Sequence, residues 1–361
     1  MSSPTPSPSQ RPAVPTMAPE PTTNGAAGLN GGDSPGGSGA GQSRLRGVAW
    51  TPAGTLQIAT RDEAAAALAD PEARVWIDVA APEGVSVADI ADLMHLHPLI
   101  AEDIAERNQR AKFEEIEGTL HLVMFSIAYE GEVTEVEVDL VLNHRSLLTV
   151  HEPGWDPFVL AQLRGDPGNL LRRGADLLLY AITDGIVDGY FPVLDAIEDE
   201  IDGLQDDVIR KPTPWTLERL FALKRELIAL RRAISPSREI FNQLTNRELE
   251  LVAPEHIIYF RDVYDHLIRV ADELDNDREL VAGTLEVYLS TINNNLSVIM
   301  KRLTGVTVIL AGIGAVGGLF GMSEAGPAFG SGEAGGFWLV VAFVVVGAAI
   351  TALFLRRIDW I

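Results

Sequence analysis

A stretch near the C-terminus places small and polar side chains at three- and four-residue spacing, which puts them on one face of a helix. Its members are Asn293, Ser297, Met300, Thr304, Thr307, Ala311, Gly314 and Gly318, with Leu303 at the border. If several copies enclosed a pore, hydroxyls, amides and backbone carbonyls would face hydrated ions, and Met300 and Leu303 would form an apolar constriction. Small residues also let helices pack closely in lipid, so simple helix packing is the alternative interpretation. The run from Asn293 to Asn295 favours the pore.

The overall composition narrows the chemistry further. The chain has 361 residues and a formal net charge of −23, which argues against nucleic acid as a partner and favours attraction to cations. Solubility is an equally good explanation of that charge. There is no Cys, and among seven His only His95 and His97 are close in sequence, which makes a poor zinc cage. No nucleotide-binding motif such as a P-loop occurs, so we expect neither an enzyme nor an organic cofactor.

Two uncharged segments, residues 303–323 and 334–355, would carry this face into a membrane. Each has about 20 residues, enough to cross the hydrocarbon core as a helix. The loop between them has two Glu and no Lys or Arg, whereas basic residues flank the pair on the other side: Lys301, Arg302, Arg356 and Arg357. The positive-inside rule therefore predicts that both termini are cytoplasmic, and we expect the protein in the cell inner (plasma) membrane.

The first span appears in the sequence as the end of a much longer helix. No Pro occurs between Pro254 and Pro327, and apolar residues recur at helical spacing from Val263 to Leu274. We expect one helix from about residue 255 through the first span, roughly 65 residues and about 100 Å long. Residues 255–300 would form a stalk below the membrane. A helix of this length needs neighbours, either in a coiled coil or in an oligomer.

The part before the stalk is predicted to be a disordered tail followed by a cytosolic domain. Residues 1–46 are rich in Pro, Ser and Gly and cannot bury enough apolar surface to fold. Beyond them the pattern indicates a small α/β domain with strands at residues 74–80, 119–128, 134–142 and 146–151. Ser86 is the expected N-cap of a helix over residues 87–95. From Asp176 the pattern is helical, with a helical hairpin at residues 195–209 and 217–234. The predicted fold class is α+β.

At the outer end of the first span stand Gly321, Met322 and Ser323, followed by an acidic loop, a second span and a basic-aromatic tail. This arrangement resembles the CorA family of divalent-cation channels, whose signature at this place is Gly-Met-Asn. Further segments carry the resemblance, which covers residues 47–361: 97–104, 178–191, 259–266, 288–290 and 300–301. The resemblance implies a homopentamer with a funnel-shaped cytosolic domain, in which the first membrane helix lines the pore and the second lies outside it.

The departure from the family signature is Ser323. The resemblance implies that Gly321, Met322 and Ser323 form the outer mouth, where the family's Asn helps to hold a hydrated ion. A Ser hydroxyl is also an acceptor, but it is shorter and has no amide, which puts the choice of metal in doubt. For the basic-aromatic C-terminal end, the resemblance implies a basic collar near the cytosolic mouth, made of Lys301, Arg356 and Arg357. Positive-inside anchoring explains the same residues equally well.

The resemblance also implies a regulatory metal site made of carboxylates. Asp262 resembles a position that binds regulatory Mg²⁺ between subunits, and Asp103, with neighbouring Glu102, resembles its partner across the interface. Asp184 resembles a further acidic position. Without the resemblance, helix capping or ion pairing would be the simpler interpretation, with these Arg residues as partners: Arg107, Arg110 and Arg261.

These inferences predict a passive, potential-driven channel for hydrated divalent cations, gated by cytosolic divalent metal. Mg²⁺ would be both cargo and regulator, with Co²⁺ or Ni²⁺ as further cargo. The expected partners are other copies of the chain, membrane lipid and the cations themselves, and no nucleic acid. Two alternatives stay open, namely a ZntB-like zinc transporter and a membrane-anchored metal sensor or scaffold that does not transport.

Overall fold

The computed structural model describes residues 44–81, 88–107, 109–247, 249–322, 333–358 and 360. Most of the predicted tail therefore lies outside the described residues, as do Ser86, the predicted N-cap, and Ser323, the variant residue of the signature.

A seven-stranded mixed sheet forms the centre of the N-terminal part. Its strands are β1 Arg44–Thr51, β2 Gly54–Ile58, β3 Arg74–Ala80, β4 Lys112–Ile116, β5 Thr119–Tyr129, β6 Val133–Leu142 and β7 Ser146–His151. Their order is β2-β1-β3-β7-β6-β5-β4. Only the central pair β3 and β7 is parallel among these neighbours, and β7 is buried along its whole length. Near-continuous apolar runs are typical of such central strands.

The four strands predicted from the sequence are confirmed to within one residue at each end. The strands β1, β2 and β4 were not predicted, because β2 and β4 have only five residues each and β1 lacks a clear apolar alternation. Strand β1 begins at Arg44, before the predicted end of the tail at residue 46. The early start has a long-range cause, since Arg46 donates to Asp78 at 2.9 Å and to Asp156 at 3.0 Å.

Nine α-helices lie in the described part of the chain. They are α1 Arg61–Ala69, α2 Ala88–Leu93, α3 Pro98–Glu106, α4 Pro167–Arg173, α5 Ala175–Asp188, α6 Tyr190–Arg210, α7 Pro214–Asn246, α8 Ile257–Met322 and α9 Glu333–Arg357. Helices α1 to α3 share a core with one face of the sheet, which includes Ile77. Helices α5 to α8 share a larger core with the opposite face, which includes Trp76. Neighbouring residues of a strand point to opposite faces, which is why Trp76 and Ile77 belong to different cores.

The helical hairpin of α6 and α7 is present, but α7 is longer than predicted. Thr213 is its N-cap and accepts a hydrogen bond from the amide of Thr216 at 3.2 Å, with Pro214 in the first turn. The predicted end at residue 234 is wrong, because α7 continues through Pro236 to Asn246. Burial of Phe241 against the core outweighs the one backbone hydrogen bond that a proline removes.

Helix α8 confirms the predicted single long helix. It has 66 residues, which corresponds to about 99 Å. Its first half presents a buried stripe at three- and four-residue spacing to α6 and α7: Phe260, Val263, Leu267, Val270, Leu274, Asp277, Val281, Thr284 and Tyr288. From Asn293 onward almost every described side chain is exposed in the single chain.

Two helical stretches among the described residues are long and apolar enough to cross a membrane. The stretch Ala175–Arg210 comprises α5 and α6 and lies mostly inside the fold, so we assign it to the cytosolic core. The stretch Ile257–Gly318 belongs to α8, and its most apolar segment is almost entirely uncovered. Helix α9 has 25 residues, carries charge only at its ends and contains the second predicted span, whose place in a membrane stays a prediction.

Asp277 interrupts the buried stripe of α8. Its side chain is fully buried, and neither carboxylate oxygen has a hydrogen-bond partner among the described residues. Burial raises the pKa of Asp277 to about 7, and repulsion from Glu198 and Glu273 adds to the shift. The folded state therefore holds this proton more tightly than the unfolded chain does. Stability is greatest near and below the unfolded pKa of about 4 and is lost as the pH rises to about 7.

We expect Asp277→Asn to stabilise the protein, and to do so more at pH 8 than at pH 5, by a difference of about 1–3 kcal/mol. The measurement is thermal unfolding of the full chain in detergent at both pH values. Asp272→Asn is the matched control, because it removes one exposed carboxylate from the same helix and should have little effect at either pH. An equal gain from Asp277→Asn at both pH values would show that its carboxylate is not protonated on folding.

Candidate functional site

The polar face predicted from the sequence lies on the uncovered half of α8. All nine of its residues are exposed in the single chain: Asn293, Ser297, Met300, Leu303, Thr304, Thr307, Ala311, Gly314 and Gly318. Met300 and Leu303 are each 59% exposed. Exposed apolar side chains of this size on so long a helix require lipid or further copies of the chain to cover them.

Helix α9 packs on a different face of α8. A gap between the two helices is lined by small and apolar residues of both: Val308, Ile309, Gly312, Ile313, Val316, Phe343, Val344, Gly347, Ala348 and Thr351. At about 100° per residue, the centre of this face lies about 140° around α8 from the centre of the polar face. Within one chain, α9 therefore leaves the polar face open.

Two threonines of the polar face are oriented by the helix backbone. The Thr304 hydroxyl donates to the carbonyl of Met300 at 2.8 Å, and the Thr307 hydroxyl donates to the carbonyl of Leu303 at 2.7 Å. Because each hydroxyl proton is used within the helix, the oxygen lone pairs remain available as acceptors. Acceptors of this kind suit the water molecules around a hydrated cation, whose protons point outward.

The structure brings Asp184 and Asp262 together around His266, which sequence reasoning missed. The His266 ring nitrogens lie 3.8 Å from Asp184, 3.4 Å from Asp188 and 4.0 Å from Asp262. Ligand atoms of Asp184, Asp188 and His266 all lie within 4.8 Å of one another. The amide of Gln162 donates to Asp184 at 3.0 Å and to Asp188 at 2.8 Å. The i,i+4 spacing of the pairs 184/188 and 262/266 was the available signal, since it places each pair on one helix face.

The acidic groups of this cluster repel one another. Burial raises the pKa of Asp184, and the charges of Asp188 and Asp262 add to the shift against the opposing effects of Gln162 and His266. Burial, together with Asp184 and Asp262, also raises the pKa of Tyr180 to about 12. The cluster therefore carries excess negative charge, which a bound cation would relieve. Asp262 is 61% exposed and remains open to solvent or to a neighbouring chain.

Asp103 and Glu102 lie elsewhere, on α3. Glu102 is exposed, and Asp103 pairs with the ammonium of Lys112, which was not among its expected partners. Asp103 belongs to a helix on one face of the sheet, whereas Asp262 belongs to α8 on the opposite face.

The remaining predicted site residues have simpler positions. Gly321 and Met322 end α8, and Ser323 lies outside the described residues. The residues of the predicted basic collar are exposed, with Lys301 within α8 just before the first predicted span and Arg356 and Arg357 in the last turn of α9. His97 caps α3, with its Nδ1 accepting from the amide of Leu99 at 3.2 Å, so it serves the helix.

Comparison with known proteins finds similarity to metal-ion transporters. The family model of CorA-like Mg²⁺ transporter proteins matches residues 72–357. The cobalt/magnesium transport protein CorA of Thermotoga maritima is 33% identical over 299 residues, which is 81% of this chain and 85% of that protein. The zinc transport protein ZntB of Yersinia pseudotuberculosis is 27% identical over 192 residues, 52% of this chain and 57% of that protein.

The fold is also similar to a solved structure. The complete structure of the CorA magnesium transporter from Methanocaldococcus jannaschii superimposes with a TM-score of 0.72 at 22% identity. The match covers 88% of this chain and 98% of that one.

Cysteine accessibility offers a direct test of the polar face, because the chain has no native Cys. Thr307→Cys is expected to react with a charged, water-soluble thiol reagent at least about ten-fold faster than Val306→Cys, since only a hydrated thiol ionises readily. Val306 is the matched control: it is adjacent and 47% exposed, but it lies outside the polar face. The measurement is the labelling rate of the full chain in lipid vesicles. Equal rates would indicate that no water reaches the face at Thr307.

Proposed function

Because the chain belongs to the family of CorA-like Mg²⁺ transporter proteins, we propose that it conducts hydrated divalent cations passively through a pore lined by the polar face of α8. As a member of this family it is a divalent-cation transporter of the membrane and not an enzyme. The observation that carries the pore proposal is the exposed polar face itself, which α9 leaves open. Mg²⁺ is the proposed main cargo, with Co²⁺ and Ni²⁺ as further ions.

The proposed assembly is a homopentamer in the cell inner membrane with both termini in the cytoplasm. Its support is that one chain cannot enclose a path and leaves the membrane half of α8 uncovered. The orientation rests on exposed basic residues that precede the first span and follow the second: Lys301, Arg302, Arg356 and Arg357. Native mass spectrometry in detergent would measure the subunit number, and a stable monomer or dimer would exclude the pore.

The lining chemistry favours an ion that keeps its water. Residues 293–318 contain no Asp or Glu, so the proposed path offers neutral oxygen acceptors rather than carboxylate ligands. Mg²⁺ dehydrates reluctantly, and such acceptors fit its hydration shell. A divalent ion moving down the membrane potential gains about 4.6 kcal/mol per 100 mV, twice the value per elementary charge. No further energy source is needed for uptake.

Zinc transport is the second candidate, favoured by the likeness to a zinc transport protein and by a nitrogen donor, His266, in the acidic cluster. Uptake by proteoliposomes with competing Mg²⁺, Co²⁺, Ni²⁺ and Zn²⁺, with and without a pH gradient, separates the two. We expect Mg²⁺ uptake that follows the potential and ignores the pH gradient. Zinc uptake that requires a pH gradient would support the second candidate, and no uptake at all would support a scaffold.

In the same uptake measurement we expect Ser323→Asn to strengthen Mg²⁺ uptake, because the longer amide reaches the water shell.

Regulation is proposed to act through Mg²⁺ bound by carboxylates of adjacent subunits: Glu102, Asp103, Asp184 and Asp262. Two observations support this. The cluster around Asp184 and Asp262 carries excess negative charge, and Asp103 and Asp262 lie on helices at opposite faces of the sheet, so the two carboxylates do not meet within one chain. A divalent ion between subunits would offset their repulsion and hold the closed ring, and its loss would let the subunits separate.

Asp262→Asn is expected to keep uptake active at millimolar internal Mg²⁺ that closes the wild type, and to reduce the protection of the cytosolic domain from protease by Mg²⁺. Flux without internal Mg²⁺ should change little, because the pore is unaltered. Asp272→Asn, with the same charge change about 15 Å along α8, is the control. Loss of flux in the Mg²⁺-free condition, or unaltered protection by Mg²⁺, would identify Asp262 as structural.

A further inference from the structure

A second group of polar side chains lies on the sheet face that α3 covers. Glu114 of β4 and His121 of β5 are directly opposite each other in the antiparallel register. Asp103 reaches the same place from α3, and ligand atoms of Asp103, Glu114 and His121 lie within 4.8 Å of one another. All three side chains come from one chain, and neither Glu114 nor His121 belongs to the proposed pore or to the carboxylates proposed to regulate it.

His121 has a nitrogen without an assigned role. The residue is completely buried, and its Nε2 forms a 2.8 Å hydrogen bond with Asp139, which is buried as well. Its Nδ1 has no hydrogen-bond partner. A buried ring nitrogen without a partner is costly unless something binds it. A carboxylate that holds one nitrogen of an imidazole, and thereby directs the other, is the usual support of a metal-bound histidine.

Lys112 offsets part of the negative charge of the two carboxylates. Its ammonium contacts Asp103 and lies 3.5 Å from Glu114. The ammonium can donate hydrogen bonds to both carboxylates, but its single positive charge balances only one of their two negative charges. Its flexible stem reaches solvent, with 20% of the side chain exposed, which allows the ammonium to swing out.

We propose that Asp103, Glu114 and His121 form a site within each subunit for a transition-metal dication of the Zn²⁺ or Co²⁺ type, which displaces the ammonium of Lys112. One imidazole and two carboxylates, with water in the remaining position, fit such ions. The imidazole selects them over Mg²⁺, which prefers oxygen ligands. This site goes beyond the proposed transport function and requires only the folded cytosolic domain. Since it uses Asp103, its occupancy removes that carboxylate from the proposed site between subunits.

The test is a titration of the full-length, chelator-treated protein in detergent with Zn²⁺ alone, by calorimetry. All measurements use His266→Gln as the background, because this change removes the other cluster that contains a histidine. We expect Lys112→Met to tighten Zn²⁺ binding, and Glu114→Gln and Asp139→Asn each to weaken it about 10–100-fold. Glu114 is 44% exposed on an edge strand, so its variant should fold normally. Asp272→Asn is the control that leaves binding unchanged, because Asp272 is an exposed carboxylate of α8 outside both clusters.

Co²⁺ provides a second readout, since X-ray absorption reports the ligands directly. In the His266→Gln background we expect one imidazole nitrogen at the bound Co²⁺, which is lost in His121→Gln. Zn²⁺ binding that is indifferent to both Lys112→Met and Glu114→Gln, or Co²⁺ bound by oxygen alone, would overturn the proposal. Failure of this site would leave the transport proposal intact, because uptake and its control by Asp262 are measured separately.

Discussion

The uninterrupted backbone hydrogen bonding of α8 is the constraint on which the rest of the structure depends. One helix of 66 residues must bury its stripe against α6 and α7 in its first half and must find other cover in its second half. Its beginning is fixed by Asp176, which accepts hydrogen bonds from His256 at 2.7 Å and from the amide of Ala253 at 2.9 Å. The fold of the N-terminal part therefore sets the direction in which the exposed half of α8 leaves it.

A second set of contacts ties the sheet to the helices that support α8. Arg219 on α7 donates to the Tyr129 hydroxyl on β5 and to Glu200 on α6, each at 2.8 Å. Both helices of the hairpin are thus joined to the sheet by one guanidinium, whose fork geometry allows several hydrogen bonds at once. Asp184 lies on α5 and Asp262 lies on α8, so a cation bound at that cluster would link α5 to the long helix.

Much of this architecture could be predicted from local patterns. The central strands are marked by apolar runs, and α8 by the absence of Pro and by its periodicity, so both were found. Strands β1, β2 and β4 are held by pairing and by distant partners such as Asp78 for Arg46, which leave little local signal. The predicted end of α7 was wrong because tertiary packing outweighs the tendency of Pro236 to end a helix.

The two clusters of candidate metal ligands show the same limit of local patterns. Asp184 and Asp262 were identified by resemblance to a family, but His266 becomes relevant only once α5 and α8 are packed together. In the same way His121 meets Asp139 and Glu114 only through the register of β4, β5 and β6. The pairing of Asp103 with Lys112 follows from placing α3 over β4, which sequence spacing does not reveal.

The rigidity of α8 gives small rotations a large effect. Leu303 lies about 69 Å along the helix axis from Ile257, which adjoins the clamp at Asp176. A tilt of about 3° about that clamp would move Leu303 sideways by about 3.6 Å, which exceeds the diameter of a water molecule, about 2.8 Å. The helix acts as a lever arm. If Met300 and Leu303 form the proposed constriction, an opening wide enough to rewet it needs no unwinding, only an angular change small enough for packed side chains to accommodate by sliding.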